Sequence, residues 1–80
     1  MRDGAVDGQV EVTAESPYAG RLLGDTRART RSGASIVAVV RGADVIASPG
    51  PEEPLQGGDT LVVIGTPTGL QKLRSLVATG

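Results

Sequence analysis

The feature that most constrains this chain is the near absence of aromatic side chains. Tyr18 is the single aromatic residue among 80, with no Phe and no Trp. The large apolar area that aromatic rings bury is missing, so the core has to be built from small aliphatic side chains. A core of this kind in so short a chain supplies about 3–5 kcal/mol, and a second copy can add buried apolar area. We therefore expect one domain that forms a homodimer.

Composition also argues against several classes of function. The chain has no His and no Cys, which removes the usual general base at neutral pH, thiolate zinc ligands and disulfides. We predict that it is not an enzyme and holds no metal. The net charge of −1 argues against binding to nucleic acid or to an anionic membrane. No apolar stretch approaches the ~20 residues of a membrane helix, so we predict a cytoplasmic location without direct membrane insertion.

The first half of the chain predicts one strand and two short helices. Apolar and acidic or hydroxyl side chains alternate from Val10 to Ala14, which is typical of a half-buried strand. N-cap signals precede two short helices, at about residues 17–23 and 26–32. Gly33 is expected to end the second helix in the left-handed conformation.

The second half predicts three strands and a final helix. Buried strands are expected at residues 36–40, 45–47 and 61–64, and an amphipathic helix follows from Thr66. The order β-α-α-β-β-β-α describes an α+β fold: a small sheet of about four strands with helices against one face. The middle strands must form an antiparallel hairpin, whereas the helical crossover could place the first two strands parallel.

These features, in this order, resemble the C-terminal domain of the RCK family, also called the TrkA-C domain. The resemblance covers roughly residues 10–77, and its matching pieces are Ser16, Ala19-Gly20-Arg21, Leu23, Gly33 to Val39, Arg41, Val45-Ile46, Ser48-Pro49, Leu55, Gly58-Asp59 and Leu61 to Thr66. The expected domain spans residues 9–80, after a flexible lead-in at residues 1–8. Thr26 and Ala28 depart from the family, which usually has leucine there, so we expect that helix to be weakly anchored.

The resemblance implies a regulatory, ligand-sensing and dimerising domain. Its transport system would be one for potassium or for cation/proton antiport, with the domain peripheral to a membrane transporter or channel subunit. Family members usually follow a nucleotide-binding Rossmann half, and no G-x-G-x-x-G motif occurs here. Some such domains bind cyclic di-AMP at a two-fold dimer interface, which makes it the candidate regulatory ligand. The alternative is a ligand-free oligomerisation module that pairs transporter-associated subunits.

Four residues are the candidates for ligand binding. Arg41 ends the central strand, and one guanidinium per subunit could hold the two phosphates of a symmetric dinucleotide. The alternative for Arg41 is a solvated arginine at a strand end. Ile36, Ile46 and Pro49 could form an apolar slot for adenine, although the same residues could simply be core. Alternation places Ile46 on the opposite side of its strand from its two apolar neighbours.

An arginine-rich segment offers a second place for an anion. Arg21, Arg27, Arg29 and Arg31 fall within eleven residues, opposed by a single aspartate. In a continuous helix, Arg27 and Arg31 would share a face while Arg29 points away. That separation favours a solvated helix face over an anion site.

Overall fold

Alternating apolar residues build a four-stranded sheet in which every neighbouring pair of strands is antiparallel. Across the sheet, the first strand of the chain is followed by the fourth, the second and the third. The computed structural model describes residues 4–80. Its strands and helices, in chain order, are β1 (Val6–Glu11), α1 (Leu23–Thr26), α2 (Ala28–Ser32), β2 (Ser35–Arg41), β3 (Asp44–Ala47), β4 (Thr60–Gly65) and α3 (Pro67–Thr79). The predicted α+β class and four-stranded sheet are confirmed.

The last strand lies between the first two. β1 and β2 run in the same direction, as the crossover suggested, but β4 separates them and pairs with both. The helical segment between β1 and β2 crosses over the sheet, so that these two strands are separated by a gap, which β4 fills. The hairpin of β2 and β3 is antiparallel as predicted, and its turn contains Gly42 with φ +61°.

Helices α2 and α3 pack against one face of the sheet. That face carries Val39, Leu61 and Val63, which are fully buried beneath α2 and α3. The opposite face has no helix over it within residues 4–80, and Val45 and Ile64 stay 66% and 43% exposed. None of the helices in this part of the chain is long and apolar enough to cross a bilayer.

The predicted helix at residues 17–23 is wrong, because turns occupy residues 17–20 and α1 begins only at Leu23. Ser16 starts a turn, as a cap would, and its hydroxyl accepts a hydrogen bond from the Tyr18 N–H at 3.0 Å. The same hydroxyl donates to the carbonyl of Val77 on α3. Gly20 then takes φ +86°, which ends any helical path.

The second predicted helix is divided at Arg27, which adopts φ 52° between α1 and α2. Gly33 ends α2 with φ 80°, as predicted. Thr26 is only 1% exposed and Ala28 3%, so these two positions are buried despite their small side chains. The Thr26 hydroxyl donates to the carbonyl of Leu23 at 2.6 Å and accepts from the Ala28 N–H at 3.2 Å. These bonds join the two short helices.

The first strand begins earlier than its alternation indicated. β1 pairs with β4 from Val6 to Glu11, so part of the predicted lead-in belongs to the sheet. Residues 1–3 of that lead-in lie outside the described residues, and the domain bounds stay a prediction. Val12 is fully buried but follows the strand, and its N–H donates to the Asp59 carbonyl at 2.8 Å.

Candidate functional site

A groove of about 420 Å³ opens beside the first residues of β2. Helices α1 and α2 form one side, and the other is the proline loop, residues 48–59, which joins β3 to β4. The lining residues mix apolar, hydroxyl and basic side chains: Leu23, Gly24, Arg27, Ala28, Arg29, Thr30, Ser35, Ile36, Pro49 and Pro51. Because β3 pairs with β2 only at residues 38–41, this end of β2 has no strand on its outer side among residues 4–80.

The proline loop is fastened to the segment that leads into α1. Residues 20–24 and 51–55 run antiparallel and exchange backbone hydrogen bonds, and we call this pair of segments the wall ribbon. The Gly24 N–H donates to the Pro51 carbonyl at 2.9 Å. A Cβ on Gly24 would lie 2.7 Å from the Pro51 Cβ, so only glycine permits this approach. The wall ribbon therefore sets the width of the groove.

Two arginines are among the residues that line the groove. Arg27 and Arg29 are exposed and have no ion pair or side-chain hydrogen bond to any residue in 4–80. Such groups suit phosphate oxygens, which accept two parallel N–H bonds from one guanidinium. The groove thus combines positive charge with the apolar surfaces of Leu23, Ile36 and Pro49.

Backbone strain is concentrated at the same place. Arg27 and Ser48, with φ 52° and 49°, are the two non-glycine residues with positive φ in the described part of the chain. Arg27 lines the groove, and Ser48 directly precedes the lining residue Pro49. This conformation costs a residue with a Cβ about 1–2 kcal/mol, and such costs cluster at functional sites.

Sequence reasoning missed the arginines as groove residues because it assumed one continuous helix. A regular helix would turn Arg29 away from Arg27. The left-handed residue at Arg27 breaks that geometry, and both residues line the groove. The local signal was weak, since left-handed backbone at arginine has no sequence pattern of its own.

Of the four predicted site residues, Ile36 and Pro49 line the groove. Ile46 does not line it: this residue pairs with the fully buried Val39 and packs against the core from the edge strand. Arg41 also lies outside the groove lining. That any of these four contacts a ligand stays a prediction.

Arg41 instead holds an aspartate. Its Nε donates to Asp59 Oδ1 at 2.9 Å, and its Nη2 donates to Asp59 Oδ2 at 2.8 Å. Nη2 also donates to the Pro54 carbonyl at 2.9 Å, while the Glu53 carboxylate lies 3.6 Å from Nη1. We call these contacts the Arg41 clamp. The side chain of Asp59 is 1% exposed and that of Arg41 27% exposed.

The clamp also favours the ionised form of Asp59. Hydrogen bonds from Arg41 lower the pKa of Asp59, against the opposing effect of burial, and the Gln56 N–H bonded to the same carboxylate lowers it further. Asp59 therefore stays ionised, which a nearly buried carboxylate does only when it is paired.

Comparison with known proteins identifies the domain. The family model described as the TrkA-C domain matches residues 8–78. The chain belongs to the TrkA-C family. This is a family of regulatory domains rather than enzymes, as the sequence predicted.

One curated relative of this TrkA-C domain is the Ktr system potassium uptake protein C of Bacillus subtilis (strain 168). It is 40% identical over 68 residues, which are 85% of this chain. Those residues make up 31% of the relative, so the chain spans about a third of that protein's length.

Two solved structures share the fold. The RCK C domain of the potassium transport protein KtrA in complex with cyclic di-AMP superimposes with a TM-score of 0.80 at 30% identity, covering 89% of this chain and 81% of that one. The RCK_C domain dimer of S. agalactiae BusR in complex with c-di-AMP has a TM-score of 0.82 at 24% identity, covering 89% and 93%. At that identity, the BusR match bears on fold alone.

Proposed function

We propose that this TrkA-C domain is the ligand-sensing, dimerising part of a regulator of potassium transport, and that cyclic di-AMP is its ligand. The observation that carries the proposal is the groove, which is lined both by apolar residues and by two arginines without an ion pair within residues 4–80. Cyclic di-AMP has two phosphates and two adenines, and needs cations and apolar surfaces in that combination. The KtrA relative was solved as a complex with this ligand.

Symmetry gives each copy one half of the ligand. A two-fold dimer repeats the same groove twice, and a cyclic dinucleotide has the matching two-fold symmetry. In this arrangement, Arg27 and Arg29 of each copy face one phosphate, while Ile36 and Pro49 contact one adenine. Ile46 supports the slot from the core beside it.

Titration of the purified protein with cyclic di-AMP tests the proposal. We expect heat of binding that saturates at one ligand per two chains, with sedimentation showing a dimer when ligand is present. Arg29→Ala should weaken binding by about tenfold or more, because a charge-assisted contact contributes about 1.5–3 kcal/mol. Lys72→Ala is the matched control, since it removes an exposed positive charge on α3 that does not line the groove.

The alternative is a ligand-free pairing module, and the uncovered sheet face with exposed Val45 and Ile64 favours it. It predicts a stable dimer without ligand and no heat with cyclic di-AMP at any concentration. Equal binding by wild type and Arg29→Ala would exclude the groove as the site.

In the protein that carries this domain, we propose a membrane transporter or channel for potassium, or a cation/proton antiporter, as the partner. The relation to the Ktr potassium uptake protein supports the potassium assignment. Cyclic di-AMP should then change potassium flux through the partner, and Arg29→Ala should remove the response. No change in potassium flux with cyclic di-AMP would contradict the potassium assignment, and a response that survives Arg29→Ala would contradict the groove as the sensor.

A further inference from the structure

Arg41 connects the sheet to the proline loop, because its guanidinium group bonds to residues of that loop. Three of its hydrogen bonds are made, two to Asp59 and one to the Pro54 carbonyl. Asp59 is in turn fixed to the sheet side, because its backbone carbonyl accepts from the Val12 N–H at 2.8 Å. The Gln56 N–H holds the same carboxylate at 2.9 Å. The clamp thus ties the end of β2 to both ends of the loop segment 54–59.

That loop segment continues directly into the wall of the groove. The Leu23 N–H donates to the Glu53 carbonyl at 2.8 Å, and the Gly24 N–H donates to the Pro51 carbonyl at 2.9 Å. Leu23, Gly24 and Pro51 all line the groove. A displacement of the loop at Pro54 therefore moves the residues that define the groove width.

We propose that Arg41 is a positioning residue of the groove, which sets ligand affinity by holding the wall ribbon in place and makes no contact with the ligand. This inference rests on the proposed function, in which the groove binds cyclic di-AMP. Without the clamp, the ribbon occupies the binding geometry for a smaller fraction of the time. The apparent dissociation constant rises in inverse proportion to that fraction.

Asp59 separates this role from direct contact with phosphate. If Arg41 were a phosphate ligand, Asp59→Asn would release its fork and remove a negative charge, so an anion would bind as tightly as before or more tightly. If Arg41 positions the ribbon, the same substitution breaks the clamp and weakens binding. The two roles predict opposite signs.

The experiment is a double-mutant cycle of Arg41→Lys and Asp59→Asn, titrated with cyclic di-AMP at a temperature where each variant is folded. We expect each single variant to raise the dissociation constant about tenfold and the double variant to add little, because both remove one clamp. An affinity of Asp59→Asn equal to or above that of the wild type would overturn the inference. Should Asp59→Asn prevent folding, the hydrogen exchange of Arg41→Lys in the ligand-free protein carries the test.

Hydrogen exchange in the ligand-free protein gives a second readout. We expect Arg41→Lys to speed exchange of the Leu23 and Gly24 amides, while the amides of Val39 and Leu61 in the central strands keep their rates. Unchanged exchange at Leu23 and Gly24 would overturn the inference even if cyclic di-AMP did not bind. A wild type that fails to bind cyclic di-AMP would instead refute the proposed function, so the two failures are distinguishable.

Discussion

At the scale of single residues, Tyr18 and Ser16 show how hydroxyl groups are treated in this small core. Tyr18 is fully buried, and its hydroxyl has no hydrogen-bond partner among residues 4–80. Burial raises the pKa of this phenol, and the positive charges of Arg31 and Arg21 and the nearby Thr26 hydroxyl partly oppose that shift. Ser16 is buried as well, but its hydroxyl both donates and accepts. Burial of the Tyr18 oxygen therefore lowers the stability of the fold, whereas burial of the Ser16 oxygen raises it.

We predict that Tyr18→Phe stabilises the domain. The substitution keeps the ring, which fills the core, and removes a buried oxygen whose lost solvation costs about 1–3 kcal/mol. The free energy of unfolding in urea should rise by about 1 kcal/mol.

The matched control is Ser16→Ala, which also removes one buried oxygen. Here the Tyr18 N–H and the Val77 carbonyl lose their partner, so the free energy of unfolding should fall by about 1–2 kcal/mol. A loss of stability in Tyr18→Phe would show that its hydroxyl has a partner after all.

At the scale of elements, the last three strands were predictable, whereas the first strand and the short helices were not. The runs at residues 36–40, 45–47 and 61–64 each became a strand within one or two residues of the predicted ends. A β-branched run between turn residues has few other ways to be buried. Side-chain alternation also placed Val45 and Ile46 on opposite faces, which the structure confirms.

The segment before β2 was harder because its backbone is satisfied by distant residues. The Gly20 N–H donates to the Leu55 carbonyl, and the Leu55 N–H donates to the Arg21 carbonyl, each at 2.8 Å. Such pairing replaces helical hydrogen bonds and leaves no local pattern. Arg27 and Arg29 lie in this segment, so the sequence did not predict them as groove residues. Ile36 and Pro49 lie outside it and were predicted as site residues.

The clamp makes part of the stability acid-sensitive. The pKa of Asp59 is lowered in the folded state, so its contribution is fully present above the unfolded value of about 4 and is lost as the pH falls through the lower, folded value. At pH 7, Asp59→Asn should lower the free energy of unfolding by about 2 kcal/mol.

Urea unfolding of wild type and Asp59→Asn from pH 7 to pH 2.5 checks this prediction. The difference between the two proteins should stay constant down to about pH 4 and then shrink toward lower pH. Comparing the pair cancels the titration of the other carboxylates. A difference that is independent of pH would show that the carboxylate charge contributes no stability.

At the scale of the whole molecule, the two faces of the sheet differ. One sheet face is covered by helices, and the other leaves Val45 and Ile64 exposed. The core contains one aromatic ring, and a second copy of the domain could add buried apolar area against the face that the helices leave uncovered.

We predict that the melting temperature rises with protein concentration, because dissociation into monomers is favoured by dilution. It should rise further with cyclic di-AMP, because bound ligand stabilises the folded state. Free ligand at a hundredfold above its dissociation constant adds about 2.7 kcal/mol to the free energy of unfolding. Calorimetry over a hundredfold range of protein concentration makes the measurement, with AMP as the control ligand. A melting temperature that does not change over this range would contradict obligate pairing.

The position of β4 between β1 and β2 has a consequence during synthesis. β1 pairs with β4 alone, and β4 is made some fifty residues later. A nascent chain that has reached the proline loop therefore carries a first strand without its neighbour, and long-range pairing of this kind forms late. The domain closes only once residues 60–65 have left the ribosomal exit tunnel, and until then the unfinished sheet edge is open to chaperones and to other nascent chains.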